Sequence, residues 1–219
     1  MISYSVLGGQ MKQKRRFPLG WLVGGLVILG ATGAALYFTP GAPQSEAERI
    51  GNLAGAAIGG NFSLIDQNSR LVTNDSLKGR WRLIYFGYTY CPDICPVDAQ
   101  KLGQALKLLE KQDPLQAARV QPIFITVDPE RDTPAAVGDF ARQFHPRMIG
   151  LTGSPKQVQD AMAVHRVYAK KQGKPGDVDY LVDHSTMIYL MNDAGGPVAF
   201  FTRDQSAETI AKDLAQFVK

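Results

Sequence analysis

An uncharged stretch over residues 17–45 constrains this chain most, because its centre at residues 21–38 is almost wholly apolar. A helix needs about 20 apolar residues to cross the hydrocarbon layer of a membrane. The sequence therefore predicts a single transmembrane helix over residues 20–38. A basic cluster at residues 12–16 precedes it, and the positive-inside rule keeps a basic N-terminus of residues 1–19 in the cytoplasm.

This topology sends the rest of the chain across an inner membrane, into the periplasm or the equivalent intermembrane space. A cleaved signal peptide is the alternative, but the apolar stretch is long for one. The nearest A-x-A cleavage pattern, at residues 54–56, lies well downstream. Residues 39–60 are rich in Pro, Gly, Ala, Ser and Glu, a composition typical of a flexible linker. The folded domain is predicted over residues 61–219.

The charge of the chain argues against a nucleic-acid partner. The formal net charge is +4, and the basic residues at positions 12–16 account for all of it, so the remainder is neutral. A neutral body offers no basic surface to a phosphate backbone. The cysteines lie far from the predicted membrane helix, which also excludes a lipid anchor through cysteine.

Segments of strand length and segments of helical spacing alternate through the predicted domain. Strands are predicted at residues 62–66, 70–73, 83–86, 120–128, 186–191 and 197–202, and helices at 99–111, 133–143, 154–164 and 207–218. Thr133 and Ser154 are expected to cap two helices, each directly before a proline. This order predicts an α/β domain with a mixed sheet. Residues 170–183 fit neither pattern and are predicted to form a mobile surface loop that leads to His184.

The cysteines of the chain, Cys91 and Cys95, stand in a C-x-x-x-C spacing between a predicted strand and a predicted helix. A disulfide that closes so short a loop constrains the unfolded chain little. On a helix, the two Cβ atoms lie about 5–6 Å apart, farther than a disulfide prefers, whereas two thiolates on one metal ion lie roughly 4 Å apart. The spacing therefore favours a metal site, and a reversible disulfide stays open if the segment is not helical.

The prolines around the motif predict where the helix begins. Pro96 disfavours a helical conformation at Cys95 and is itself suited to the first helical position. Cys95 is therefore expected near the N-cap, where the helix dipole lowers the pKa of a thiol. The preceding strand ends near Phe86, which places both cysteines at the carboxyl edge of the sheet, where α/β folds usually carry their sites.

Three histidines compete to be a third ligand. His145 and His165 follow helical segments, and each is better interpreted as a surface or capping residue. His184 precedes the strand at residues 186–191, and Asp183 beside it is a candidate partner for the ring. In a thioredoxin arrangement, the loop before this strand comes close to the start of the first helix. His184 is therefore the predicted ligand.

Two thiolates and one imidazole form a soft donor set, which selects Cu(I) or Zn and, with an additional weak ligand, Cu(II). A structural zinc site normally has four protein ligands. The sequence offers three strong candidates, Cys91, Cys95 and His184. This number favours an exchangeable copper ion over a closed zinc site.

Three separated motifs now carry a resemblance to a known family. They are YFGYTYCPDICP at residues 85–96, VDPERDT at residues 127–133 and DHS at residues 183–185. In this order they resemble the Sco/SenC family of copper chaperones for cytochrome c oxidase. The similarity extends from about Phe62 to the C-terminus and includes the N-terminal anchor. One departure is Tyr90, where some members have a histidine before the first cysteine.

The resemblance implies a thioredoxin-like fold and a site for one copper ion, as Cu(I) or Cu(II), made by Cys91, Cys95 and His184. It also implies delivery of that copper to the dinuclear copper site in subunit II of cytochrome c oxidase, or reduction of the cysteines there. Other copper chaperones are further expected partners.

Two functions compete for the same sulfur atoms. The first is a metallochaperone, which is not an enzyme. The second is a thiol–disulfide oxidoreductase, in which Cys91 attacks, Cys95 resolves, and the cysteines of the oxidase site are kept reduced. His184 favours copper, because an oxidoreductase does not need it. A thiol peroxidase is disfavoured, since residues 86–91 lack the approach sequence of that class.

Two carboxylates in the DPERDT motif, Asp128 and Asp132, have two interpretations. They can orient the loops around the metal or face a partner protein. Carboxylates between a strand and a helix more often cap that helix, and this is the preferred interpretation. Arg131 is expected to pair locally.

Overall fold

A mixed sheet of eight strands organises residues 51–174 and 176–219, the part of the chain that the computed structural model describes. In chain order the strands are β1 (Gly51–Asn52), β2 (Ser63–Asp66), β3 (Leu71–Thr73), β4 (Trp81–Gly87), β5 (Val120–Thr126), β6 (Ile149–Thr152), β7 (Ala169–Lys171), β8 (Val182–His184), β9 (Ile188–Met191) and β10 (Pro197–Phe201). The large sheet has the order β1-β10-β9-β4-β5-β6-β2-β3, while β7 and β8 pair separately.

Five α-helices belong to the same residues, together with a 3-10 turn that precedes β4. They are α1 (Ile94–Gln112), α2 (Pro114–Ala118), α3 (Pro134–Phe144), α4 (Pro155–Val164) and α5 (Ala207–Phe217). Thr133 Oγ1 accepts a hydrogen bond from the Ala136 amide at 3.2 Å, and Ser154 caps α4 in the same way. Both predicted caps are confirmed.

The centre of the sheet consists of the parallel strands β4, β5 and β6, with β9 antiparallel to β4. Every residue of β5 is buried, as expected for a parallel strand covered on both faces. Tyr85 of β4 faces α1, where its hydroxyl lies 3.2 Å from Asp98. The next residue, Phe86, faces the opposite side and packs on His165 at the end of α4. The predicted α/β domain with a mixed sheet is confirmed.

Helix α1 carries the packing that was expected from its leucine spacing. Leu102, Leu106 and Leu109 are all fully buried. Burial of a leucine side chain contributes about 1.5–3 kcal/mol relative to an exposed one. The same helix packs on α3 and α5, so its first turn, which bears Cys95, stands on a fixed support.

Residues 170–183 were predicted to form a mobile loop. This prediction is wrong at both ends of the segment, which belong to a β-hairpin. Lys170 pairs with Asp183 and Ala169 pairs with His184 in an antiparallel register between β7 and β8. We call these two strands the His184 hairpin. They are short and largely polar, so no alternating apolar pattern marks them in the sequence.

Other differences lie at the edges of the fold. Residues 51–60 were predicted as linker, but Gly51–Asn52 pairs with β10 and Leu53 is 9% exposed, so the domain includes them. Strand β6 and helix α2 were not predicted. Within residues 51–174 and 176–219, no helix has the length and hydropathy required of a membrane span. The predicted N-terminus at 1–19 and anchor at 20–38 lie outside the described residues.

The contact between α1 and α3 gives a first prediction, because a Cβ atom at Gly103 would lie 2.5 Å from the Phe144 carbonyl oxygen. Gly103→Ala gains helix propensity, but overpacking typically costs about 1–3 kcal/mol. We expect a net loss of stability, measured as a lower midpoint in thermal unfolding. Gln104→Ala, at the exposed neighbouring position, is the control and leaves the midpoint unchanged. A Gly103→Ala midpoint equal to that of the control contradicts the prediction.

Candidate metal centre

The two cysteines lie where β4 ends and α1 begins. Residues 88–93 join the strand to the helix and contain Cys91; we call them the cysteine loop. Both thiols are free, with no disulfide between them. Cys95 is fully buried in the first turn of α1, while Cys91 is 9% exposed. The Cys91 Sγ atom accepts a hydrogen bond from the Cys95 amide at 3.3 Å. A sulfur atom therefore caps the start of the helix, where the Asp93 side chain makes no capping bond.

The pKa values of the two thiols are shifted in opposite directions. Burial opposes ionisation of Cys91, but the amides of Cys95, Asp93 and Ile94 and the Cys95 thiol together outweigh it and lower the Cys91 pKa. Burial raises the pKa of Cys95, and the proximity of Cys91 raises it further. The sequence predicted a lowered pKa at Cys95, and this is wrong. Because α1 begins at Ile94, the free amides of its first turn point at Cys91.

His184 is the last residue of β8, and its ring contacts Cys95. Its Nε2 atom lies 3.3 Å from Cys95 Sγ, and its Nδ1 atom lies 2.8 Å from the Ser185 carbonyl oxygen. A carbonyl only accepts, so Nδ1 carries the proton and the Nε2 lone pair faces the thiol. Burial lowers the pKa of His184, which keeps the ring neutral. A neutral imidazole with a free Nε2 is the form that binds metals.

Two tyrosine rings fix the His184 imidazole. The Tyr88 ring meets it edge-on, with centroids 5.9 Å apart, and the Tyr85 ring does so at 6.3 Å. The Tyr88 hydroxyl accepts a hydrogen bond from the Val182 amide at 3.2 Å, which ties the cysteine loop to β8. The histidine is therefore held by side chains as well as by its strand.

Sequence reasoning missed Asp98, which is 1% exposed in α1. The Tyr85 hydroxyl donates to its carboxylate at 3.2 Å, and Arg203 contacts it at 3.4 Å. Burial raises the pKa of Asp98. A carboxylate three residues after Cys95, on the buried side of an amphipathic helix, is the signal that identifies it.

Asp132 orients the cysteine loop. Its carboxylate accepts hydrogen bonds from the Thr89 amide at 3.0 Å, the Thr89 hydroxyl at 2.6 Å and the Thr126 hydroxyl at 2.5 Å. The residue is fully buried. The preferred interpretation of Asp128 and Asp132 as helix caps is wrong, because the N-cap of α3 is Thr133.

Asp128 lies in the segment after β5 and contacts Tyr180, which precedes β8 of the His184 hairpin. It accepts hydrogen bonds from Arg131 at 2.6 Å and from the Tyr180 hydroxyl at 2.7 Å. The Arg131 guanidinium also lies over the ring of Tyr90, which is 59% exposed. The expected local pairing of Arg131 is thus confirmed, with the tyrosine contacts added to it.

The side chains of the remaining candidates have partners other than the thiols. Asp183 is exposed and accepts a hydrogen bond from Gln172, so the His184 ring takes Ser185 as its partner in place of the predicted Asp183. His145 contacts Glu110 at 3.3 Å, and His165 contacts the Ala161 carbonyl at 2.8 Å.

An open cavity of about 480 Å³ gives access to this site, and Cys91 and His184 are among its lining residues. Within residues 51–174 and 176–219, no three His, Cys, Asp or Glu side chains already form a metal cage. The Cys91 sulfur accepts from the Cys95 amide, and Cys95 Sγ contacts His184 Nε2. The donor chemistry nevertheless fits a soft ion, since one thiol is acidic and the other contacts a neutral imidazole.

Comparison with known proteins decides the family. A family model described as SCO1/SenC matches residues 51–219. The mitochondrial Protein SCO2 homolog of Homo sapiens is 44% identical over 196 residues, covering 86% of this chain and 73% of that protein. The chain belongs to the SCO1/SenC family.

Solved structures of this family share the fold. The structure of Bradyrhizobium japonicum ScoI with copper bound is 43% identical, with a TM-score of 0.66, and the match covers 74% of this chain and 99% of that one. Yeast Sco1 with copper bound is 39% identical, with a TM-score of 0.67, and covers 74% and 88%. The family membership and the thioredoxin-like α/β fold implied by the resemblance are confirmed.

The SCO1/SenC site predicts unequal thiol reactivity. Cys91 borders the cavity and has the lowered pKa, so we expect iodoacetamide to modify it roughly tenfold or more faster than Cys95. Mass spectrometry of the two alkylated positions over time measures both rates. In urea-unfolded protein, which is the control, the rates become similar. Faster modification of Cys95 in the folded protein contradicts the assignment.

Proposed function

We propose that this chain is a membrane-anchored copper metallochaperone that carries one copper ion on Cys91, Cys95 and His184. The observation that carries the proposal is the convergence of two thiols and a neutral imidazole beside an open cavity. Soft sulfur and imidazole donors suit copper, and three donors leave the ion exchangeable. Copper is the cargo of such a protein. The copper-bound relatives support this assignment.

The donors have complementary protonation states. Cys91 has the lowered pKa and is the readier thiolate. Cys95 keeps its proton, and its thiol faces the Nε2 lone pair of His184. Copper binding therefore has to displace the Cys95 proton, while the Nδ1–H of His184 keeps its bond to Ser185. This second bond holds the imidazole in the orientation that a ligand needs.

In this proposal the copper ion is delivered to the dinuclear copper site of cytochrome c oxidase subunit II. The anchor predicted at residues 20–38 would hold the domain on the periplasmic or intermembrane-space side of the inner membrane, where such a partner is reached. Other copper chaperones are the proposed source of the ion. The mitochondrial relatives support this setting.

A second function follows from the same thiols, a thiol–disulfide oxidoreductase that keeps the subunit II cysteines reduced. The favouring observation is the contrast between an acidic Cys91 at the cavity and a buried Cys95. Cys91 thiolate attacks one sulfur of the partner disulfide and expels the other as a thiolate. Cys95 then attacks the mixed disulfide, leaving a Cys91–Cys95 disulfide and a reduced partner.

Ligand substitutions test the copper site. We expect Cys91→Ala, Cys95→Ala and His184→Ala each to lower Cu(I) affinity by more than about 100-fold, because even indirect partners of a ligand contribute 10–100-fold. Competition with a chromophoric chelator on the reduced protein measures the affinity. His145→Gln, a buried histidine on Glu110, is the control and keeps wild-type affinity. Unchanged binding by His184→Ala overturns the three-ligand site, and copper-independent reduction of a model disulfide promotes the oxidoreductase.

The protonation of Cys95 predicts a pH dependence. Burial raises the Cys95 pKa, so the free protein holds a proton that the copper complex has lost. Copper affinity therefore rises with pH, about tenfold per unit for each proton released, between about pH 6.5 and 8. Competition measured across this range gives the slope. Cys95→Ala reduces the slope by one proton, and an affinity independent of pH contradicts the assignment.

A further inference from the structure

Arg131 stands at the centre of an aromatic cluster beside the proposed copper site. Its guanidinium carbon lies 3.7 Å from the ring centre of Tyr180, 4.8 Å from that of Tyr90 and 5.8 Å from that of Tyr88. Guanidinium groups are attracted to aromatic faces within about 6 Å. Only 16% of the Arg131 side chain is exposed, so these contacts are largely shielded from water.

The three rings come from two separate parts of the chain. Tyr88 and Tyr90 belong to the cysteine loop, while Tyr180 precedes β8 of the His184 hairpin. Arg131 itself lies in neither part, since it follows β5. One cation therefore bridges the loop that carries Cys91 and the segment that leads into the strand of His184.

Asp128 holds both Arg131 and Tyr180 in place. Asp128 receives the Arg131 Nε–H at 2.6 Å with one oxygen and the Tyr180 hydroxyl at 2.7 Å with the other. A second ion pair, from Lys171 of β7 to Glu130 at 2.5 Å, joins the hairpin to the segment after β5 that also carries Arg131. Charge-assisted hydrogen bonds of this kind also fix geometry, and the planar guanidinium cannot be replaced by an ammonium without loss.

We infer that Arg131 is a positioning residue for copper binding, which fastens the His184 hairpin onto the cysteine loop and so holds His184 beside Cys95. The inference rests on the proposed copper function. Arg131 touches no donor atom in this arrangement; it acts through Tyr180 and β8. Without it, the hairpin keeps its internal pairing and the Val182–Tyr88 hydrogen bond but loses the cation that joins Tyr180 to the rings of the cysteine loop.

The test is a double-mutant cycle between Arg131→Gln and His184→Ala in the full chain, read by Cu(I) competition. We expect Arg131→Gln alone to lower affinity about 10- to 100-fold. Added to His184→Ala, it causes no further loss, because its effect passes through that imidazole. Arg131→Lys recovers only part of the affinity. Tyr180→Leu, at a partly exposed position that leaves the core intact, lowers affinity in the same direction.

Arg142→Gln is the matched control, since Arg142 and Asp139 form an ion pair at the same sequence spacing on the exposed surface. It leaves copper affinity unchanged. Hydrogen exchange of the copper-free protein supplies a second readout. We expect Arg131→Gln to accelerate exchange of the Val182 amide, which donates to Tyr88, and to leave the amides of β5 unaffected.

The outcomes separate the two proposals. A full Arg131→Gln penalty in the His184→Ala background, or wild-type affinity and exchange in Arg131→Gln, overturns the positioning role while the copper site stands. A wild-type protein that fails to bind Cu(I) overturns the copper function. In that case accelerated exchange at Val182 still reports the fastening of the hairpin, without its role in metal binding.

Discussion

The contact between Cys95 Sγ and His184 Nε2 joins positions 89 residues apart, and the described fold is arranged around it. Strand β4 delivers the cysteine loop to the carboxyl end of the parallel strands, and α1 fixes the loop from the other side by packing on α3 and α5. His184 arrives on a hairpin outside the main sheet. Its imidazole is held there by contacts with Cys95 and with the rings of Tyr85 and Tyr88.

Much of the fold was predictable because its determinants are local. The long apolar strands, the leucine face of α1 and the caps at Thr133 and Ser154 depend on residues close in sequence. Strands β7 and β8 depend on something else, since they are short and largely polar. They are held by distant partners, such as the Tyr88 hydroxyl on the Val182 amide. Periodicity cannot reveal a strand whose stabilising contacts lie elsewhere in the chain.

In the candidate site, too, some features could be predicted from the sequence and others could not. Residue type, spacing and the expected thioredoxin arrangement together selected Cys91, Cys95 and His184 as neighbours. The acidity of the two thiols depends on which residue begins the helix, and α1 starts at Ile94, before Pro96. This difference turns the amides toward Cys91 and buries Cys95, so the pKa of Cys95 is raised where a lowered one was predicted. Electrostatics at a helix end varies over a single residue, a precision that sequence patterns do not reach.

Two carboxylates in the short segment after β5 contact both the cysteine loop and the residues next to the His184 hairpin. Asp132 holds Thr89 of the cysteine loop, and Asp128 holds Tyr180 and Arg131 beside the His184 hairpin. A buried carboxylate without partners is costly, so these bonds are strongly selected once the segment is buried. Because the two residues are only four positions apart, the distance between the loop and the hairpin is fixed by the backbone that connects them. Asp128 and Asp132 thus tie the loop that bears Cys91 and the segment that leads to His184 to one short stretch of backbone.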